Sequence, residues 1–128
     1  MFDRIETLRM ASALTAHASE RQKLIARNVA NADTPGFRSQ DLGRFAETYR
    51  SDVATELRAT QPGHLTGITW GGDGRPRDAG GEPAPNGNTV SLEDEMIRTA
   101  QARREFDLSL AVTRSSLSMI RTSLGRRA

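Results

Sequence analysis

Few side chains in this sequence could do chemistry. Acid–base or metal work needs donors gathered in one place, and the only imidazoles are His17 and His64. His17 falls inside a helical stretch beside small polar and Ala residues, where it reads as a surface or seam residue. His64 stands in a Pro-Gly turn. With no Cys and no His-rich spacing, no metal centre is expected. Glu93, Asp94 and Glu95 are consecutive carboxylates, but behind Ser91 they suit the positive first turn of a helix better than a catalytic pair. "GGDG" around Asp73 lacks the alternating acidic positions of a calcium loop, and no G-x-S-x-G, phosphate loop or dinucleotide fingerprint occurs. The expectation is no enzyme, no cofactor, no metal and no small-molecule substrate.

The densest polar constellation is "ARNVANADTPGFRSQDL", residues 26–42. It opens as the end of a helix and breaks at Asn28, Asn31, Asp33, Thr34, Pro35 and Gly36 before restarting on Phe37. Asn31 or Asp33 tolerates the left-handed backbone that leaves a helix. Pro35 pushes Thr34 to extended geometry, and Pro35-Gly36 fits the centre of a type II turn. Phe37 is then placed to fold back on apolar helix surface. A cap and a turn account for that shape, yet leave Asn28, Asn31 and Asp33 more polar than a cap requires.

Two long helices must carry this turn. From residue 4 to about 31, Ile5, Leu8, Ala11, Leu14, Ala18, Ile25 and Val29 recur at three- and four-residue steps, with Gln22 filling the gap. Near the C-terminus, Leu92, Met96, Thr99, Arg103, Phe106, Leu110, Thr113, Leu117, Ile120 and Leu124 form a heptad line. Ser91 caps it and Gly125 stops it. Leu42, Phe45, Tyr49, Val53 and Leu57 mark a shorter middle helix, ended at Pro62-Gly63. Half of residues 71–88 are Gly or Pro, which reads as a flexible loop. The expected fold is mainly α, with the terminal helices pairing as an antiparallel-type coiled coil. Its parts are an N-terminal helix (1–32), a turn with short helix and extended segment (33–70), a Gly/Pro-rich loop (71–89) and a C-terminal heptad helix (90–128).

Composition limits what such a chain can be. Leu, Ile, Val and Phe make up 24 of 128 residues, Ala contributes 16, and the net charge is only +2. That predicts a modest core completed against partners. The basic residues (17 Arg, one Lys) are dispersed among acids rather than gathered, which argues against nucleic acid. No apolar run approaches a membrane span, and the first 23 residues carry charges every few positions, unlike a secretory signal.

The 26–42 stretch resembles the N-terminal signature of the bacterial flagellar rod, hook and hook-associated proteins, a helix ending in Asn-(Ile/Leu/Val)-Ala-Asn before Thr-Pro-Gly-(Tyr/Phe). Within that family it is most similar to the proximal rod proteins. "LRATQPGHLTG" and "NGNTVSLEDEM" are similar to further elements of the same group, so the resemblance spans residues 1–65 and 86–128. Phe37 stands where Tyr is commoner.

The resemblance implies a structural subunit that polymerises helically, transmits torque and forms part of the export channel wall. It would be exported by the flagellar type III apparatus to the periplasmic rod of the basal body without a cleavable signal. Partners would be copies of itself, other rod proteins, and membrane-ring, rod-adaptor and export-gate proteins. Asn28, Asn31, Asp33, Thr34, Pro35, Gly36 and Phe37 would then shape the contact between subunits. Ile5, Leu8, Leu14, Ile25, Val29, Leu92, Met96, Phe106, Leu110, Leu117, Ile120 and Leu124 would hold the helical pair. The alternatives are a soluble coiled-coil adaptor or export chaperone and a small basic helical nucleic-acid binder.

Overall fold

The computed structural model describes residues 2–54 and 75–125, with side chains at 6–49 and 75–125. Helix α1 (Phe2–Ala30) runs without a Gly or Pro for 29 residues, and α3 (Leu92–Gly125) spans 34, with its one Gly at the last position. At 1.5 Å per residue these are roughly 43 and 51 Å long. Between them lie a two-residue strand β1 (Gln40–Asp41), a ten-residue helix α2 (Phe45–Ala54) and a second short strand β2 (Arg77–Asp78). Leu57 and His64, read from the sequence as part of the middle helix and its turn, lie outside the described residues.

The long helices pack antiparallel. Thr15 of α1 bonds Ser109, Arg21 bonds Glu105 and Gln101, and Asn28 bonds Glu95, so partner numbers fall as α1 advances. The expected antiparallel helical pair is therefore present, but its seam on α3 is not the apolar heptad line. The buried residues of α3 are Glu95, Ala102, Ser109 and Ser116, each one position before Met96, Arg103, Leu110 and Leu117. A shift of one residue turns the helix by about 100°. Leu92, Met96, Leu117 and Leu124 are consequently exposed, Met96 by 74%. Phe106, Leu110 and Ile120 are half-buried at the seam's edge.

On α1 the seam is Ala11, Ala18 and Ile25, with Leu8 and Leu14 half-buried beside it, as the periodicity predicts. Val29 is the exception at 46% exposed. Ile5 lies on the helix but outside the described side chains. The gap assigned to Gln22 is filled instead by Arg21, whose guanidinium is held between the helices; Gln22 faces out. Ala18 and Ala102 have no exposure at all. Small residues on both sides let the backbones approach closely, and large side chains would push them apart. Among the described residues only Leu24, Ile25 and Leu42 are large, apolar and fully buried, which is the modest core that the composition implies.

The Gly/Pro-rich stretch is not detached from the rest over its described part, 75–89. Gln40 pairs with Asp78 and Asp41 with Arg77 in antiparallel register. Backbone bonds extend the contact: Ala79 N–H to Ser39 O at 2.9 Å, Thr89 N–H to Phe37 O at 3.0 Å and Gly36 N–H to Asn86 O at 3.0 Å. Each partner is a main-chain group, so the docking needs no apolar side chain, and hydrophobic patterning cannot register it.

Candidate functional site

The 26–42 stretch folds as a helix end, a turn and an extended run clasped by the 75–89 segment. The chain leaves α1 through tight i to i+3 bonds, Asn31 N–H to Asn28 O at 3.0 Å and Ala32 N–H to Val29 O at 3.2 Å. No non-Gly residue among those described has positive φ, so neither Asn31 nor Asp33 takes the left-handed conformation expected of it. Asn31 acts through its side chain: its Nδ2 donates to Arg27 O at 2.8 Å, and its Oδ1 accepts from Thr34 Oγ1 at 3.2 Å. The type II turn is as expected. Phe37 N–H donates to Thr34 O at 3.3 Å, Pro35 holds the first central position, and Gly36 supplies φ +71° at the second. Phe37 is half-buried, and Asp33, Thr34, Pro35 and Gly36 are exposed.

Asn28 departs from the expected contact surface. Its side chain is 1% exposed and turned into the chain. Nδ2 donates to Gln40 O at 2.8 Å and to Glu95 Oε1 at 3.1 Å, while Oδ1 accepts from Gln40 N–H at 3.1 Å. One amide thus satisfies both main-chain groups of the first β1 residue and ties them to α3. An amide is suited to this because it offers donor and acceptor at one end; a carboxylate offers only acceptors.

Asn88 was not singled out from the sequence. Buried beneath the signature turn, its Nδ2 lies within 2.9 Å of Asn31 O, 2.8 Å of Ala32 O and 2.8 Å of Thr34 O. Those are carbonyls of the turn that follows α1, two of which also accept main-chain hydrogens, Asn31 O from Thr34 and Thr34 O from Phe37. Its Oδ1 accepts from Val90 N–H at 2.7 Å. The available signal was the Asn-Gly-Asn run at 86–88, a turn sequence placed just before the Ser91 cap. Gly87 takes φ +79°, a backbone conformation that side-chain-bearing residues seldom adopt, and packs against Gly36.

A charged network occupies the seam beside this clasp. Arg21 makes a two-pronged pair with Asp41, Nε to Oδ1 and Nη2 to Oδ2 both at 2.9 Å, and reaches Glu105 Oε1 at 3.3 Å. Arg98 pairs with Glu95 at 2.6 Å and lies 3.8 Å from Asp41. The hydrogen bond to Asp41 raises the Arg21 pKa, so Arg21 stays charged throughout the accessible range. Glu95 is buried as fully as any core residue, and the Asn28 and Arg98 bonds offset much of its desolvation.

No group of three or more His, Cys, Asp or Glu converges as for a metal ion among the described residues. What the site presents outward is shape and apolar surface. Val29, Asp33 to Gly36, Leu92, Met96 and Ile97 lie at one end of the helical pair. Farther along α3, exposed apolar side chains lie on both sides of the buried seam. Leu92, Met96 and Leu117 form one flank, and Ile97, Leu108 and Met119, at eleven-residue steps, form the other.

Residues 10–38, which include the signature turn, match the family described as "Flagella basal body rod protein". Among curated proteins, the flagellar basal body rod protein FlgB of Agrobacterium fabrum (strain C58) is 30% identical, with 95% of each chain covered. The same-named protein of Escherichia coli K12 is 26% identical over 87% of this chain and 88% of its own. That of Salmonella typhimurium LT2 is 27% identical over 91% and 92%. A likeness extending over both helices, the clasped turn and the segment between them means that this chain belongs to the FlgB family of flagellar basal body rod proteins.

Proposed function

We propose that the chain is a structural subunit of the proximal part of the bacterial flagellar rod. In this reading it polymerises helically, transmits torque and lines part of the export channel, with no chemistry of its own. The observation that carries it is the offset of the α3 seam, in which Glu95, Ala102, Ser109 and Ser116 are buried while large apolar side chains stand on both outer flanks of α3. A monomer gains nothing from exposed Met96, Ile97, Leu108 and Leu117; a protomer with neighbours on two sides buries them. Two different flanks make heterologous contacts, which generate open helical assemblies when the rotation does not close. Asp33, Thr34, Pro35 and Gly36, on the surface at the end of the pair, shape the joint with a neighbour, and Asn31 and Phe37 support them from beneath. Asn28 acts inside the subunit.

The partners in this reading are copies of the chain and other rod proteins. Membrane-ring, rod-adaptor and export-gate proteins lie at the base. Delivery is by the flagellar type III apparatus to the periplasmic rod. The test is deletion of the gene followed by purification of basal bodies. The expected result is a membrane ring without a rod, restored by the wild-type chain, with the protein recovered in the basal-body fraction. A protein that remained in the cytoplasm while rods still formed would favour the adaptor or chaperone reading instead.

A further inference from the structure

Asn86 alone among the four asparagines precedes a glycine; the others are followed by Val29, Ala32 and Thr89. An Asn-Gly pair carries a latent reaction. The main-chain nitrogen of Gly87 can attack the side-chain amide carbon of Asn86, since no Cβ on the glycine obstructs the approach. The fold places this pair at the tip of a hairpin loop. Gly87 N–H donates to Ala84 O at 2.7 Å, Ala84 N–H donates to Asn88 O at 2.8 Å, and no non-Gly residue among those described has positive φ. Ala84 to Gly87 is therefore a type I turn with Pro85 and Asn86 at its centre, and Gly87 follows in the left-handed conformation at φ +79°. At the second central position ψ is about 0°, which sets Gly87 N beside Asn86 N and away from its Cβ. A five-membered ring needs that nitrogen beside Cβ. Its hydrogen is also committed to Ala84 O, and Asn88 N–H holds the Asn86 side chain forward by donating to Oδ1 at 3.0 Å. The geometry disarms the pair although both residues are exposed.

Docking keeps that geometry in place. Gly36 N–H bonds Asn86 O at 3.0 Å, Thr89 N–H bonds Phe37 O at 3.0 Å, and Ser39 N–H bonds Thr89 Oγ1 at 2.9 Å. We infer that Asn86-Gly87 is a self-modification site gated by this clasp, inert while 75–89 is docked and reactive once it lifts. In the open chain Gly87 N forms a bond to Asn86 Cγ and the Cγ–Nδ2 bond breaks. Ammonia leaves with the amide's two hydrogens and the one from Gly87 N. Water then opens the succinimide ring. Cleavage at Cγ gives an aspartyl residue; cleavage at the original main-chain carbon gives an isoaspartyl link that runs through Cβ and Cγ. The net change is water in and ammonia out, with no oxidant or reductant. The two products differ in consequence. An aspartyl side chain keeps an acceptor for Asn88 N–H. The isoaspartyl link adds a carbon to the loop, so Asn88 can no longer meet Val90 N–H and the carbonyls of Asn31, Ala32 and Thr34 together. The turn that carries Asp33 to Gly36 thereby loses its support through chemistry at a loop it only touches.

The test follows the full-length chain in neutral buffer and in concentrated urea, with peptide mapping to separate the asparaginyl, aspartyl and isoaspartyl forms at position 86. Conversion in the folded wild type should be at least about tenfold slower than in urea, the factor by which docking depletes the open form. Gly81→Ala opens the clasp without altering the reacting pair, since a Cβ there would stand 2.6 Å from Thr89 O, a main-chain atom that cannot swing aside. Its rate in buffer should rise at least about fivefold over wild type while the helical circular dichroism is retained. If that variant loses its helices, Thr89→Val, which removes only the hydroxyl that accepts from Ser39 N–H, supplies the comparison. Isoaspartyl chains, separated and returned to buffer, should show weaker amide protection over 36–39 and 77–89 than the unmodified chain. Equal rates in buffer and urea overturn the gating, as does a folded variant that converts as slowly as the wild type. No conversion in urea overturns the site, and unchanged amide protection in the isoaspartyl form overturns its consequence.

Discussion

Asn28→Ala tests most directly what the signature asparagine does. The substitution deletes three buried hydrogen bonds at once, two with the main chain of Gln40 and one with Glu95. The neighbours do not gain solvent, so Gln40 N–H and C=O are stranded beneath the turn, while Glu95 keeps Arg98. Each stranded neutral group costs about 1–3 kcal/mol, so the sum is about 3–5 kcal/mol after partial relaxation. Against a total stability of about 5–15 kcal/mol for a domain, that is a large fraction. The assay is urea unfolding of the purified chain followed by helical circular dichroism, where the midpoint should fall steeply. Asn28→Asp should be no rescue, since a carboxylate would turn an acceptor toward Gln40 O and Glu95. If Asn28→Ala shifted stability by less than about 0.5 kcal/mol yet abolished motility, the inward role would be refuted and a subunit-contact role restored.

Other perturbations separate the inner clasp from the outer flanks. Leu117→Asp, at a position 49% exposed, should leave unfolding of the isolated chain within about 0.5 kcal/mol of wild type but abolish swarming in soft agar. Motility that survived it would remove that flank from the assembly. Asn88→Ala removes a shared donor from three carbonyls of the turn after α1, leaving Ala32 O unpaired, and should open residues 31–37 to limited proteolysis at a stability cost of about 1–3 kcal/mol. Acid should act on the same segment from outside. Asp78 is held below the usual carboxylate range by the Gly80 N–H and then Arg38, and Glu93 by its own N–H and the Ser91 hydroxyl. A depressed carboxylate stabilises the fold above its ordinary value and loses that contribution as pH falls through the lowered one. Below about pH 4, the protection of amides over 77–89 relative to their unstructured exchange rate should therefore fall, and Asp78→Asn should blunt the acid dependence at that strand.

The helices, the Ser91 cap and the Pro35-Gly36 turn were legible in the sequence because each depends on local rules. Uninterrupted three-and-four spacing makes α1 and α3, Ser91 Oγ meets Asp94 N–H at 3.4 Å, and only Gly comfortably takes the second central position of a type II turn. Family membership was legible for the same reason, being carried by a contiguous motif. The face on which α3 meets α1 was not. Periodicity reports that a helix has an apolar stripe but not what covers it, and here the small residues Ala18 and Ala102 set the distance between helices. That close approach puts Glu95, Ser109 and Ser116 inside and leaves Met96 and Leu117 for neighbours. Likewise, composition marks 75–89 as rich in Gly and Pro, yet main-chain bonds to residues 36–41 dock it on the turn. The sequence by itself determined two helices, their ends and the hinge between them. Only the tertiary structure decided which faces pair, because that depends on how closely two backbones can approach and on whether a side chain 67 positions away, Glu95 from Asn28, completes a buried amide.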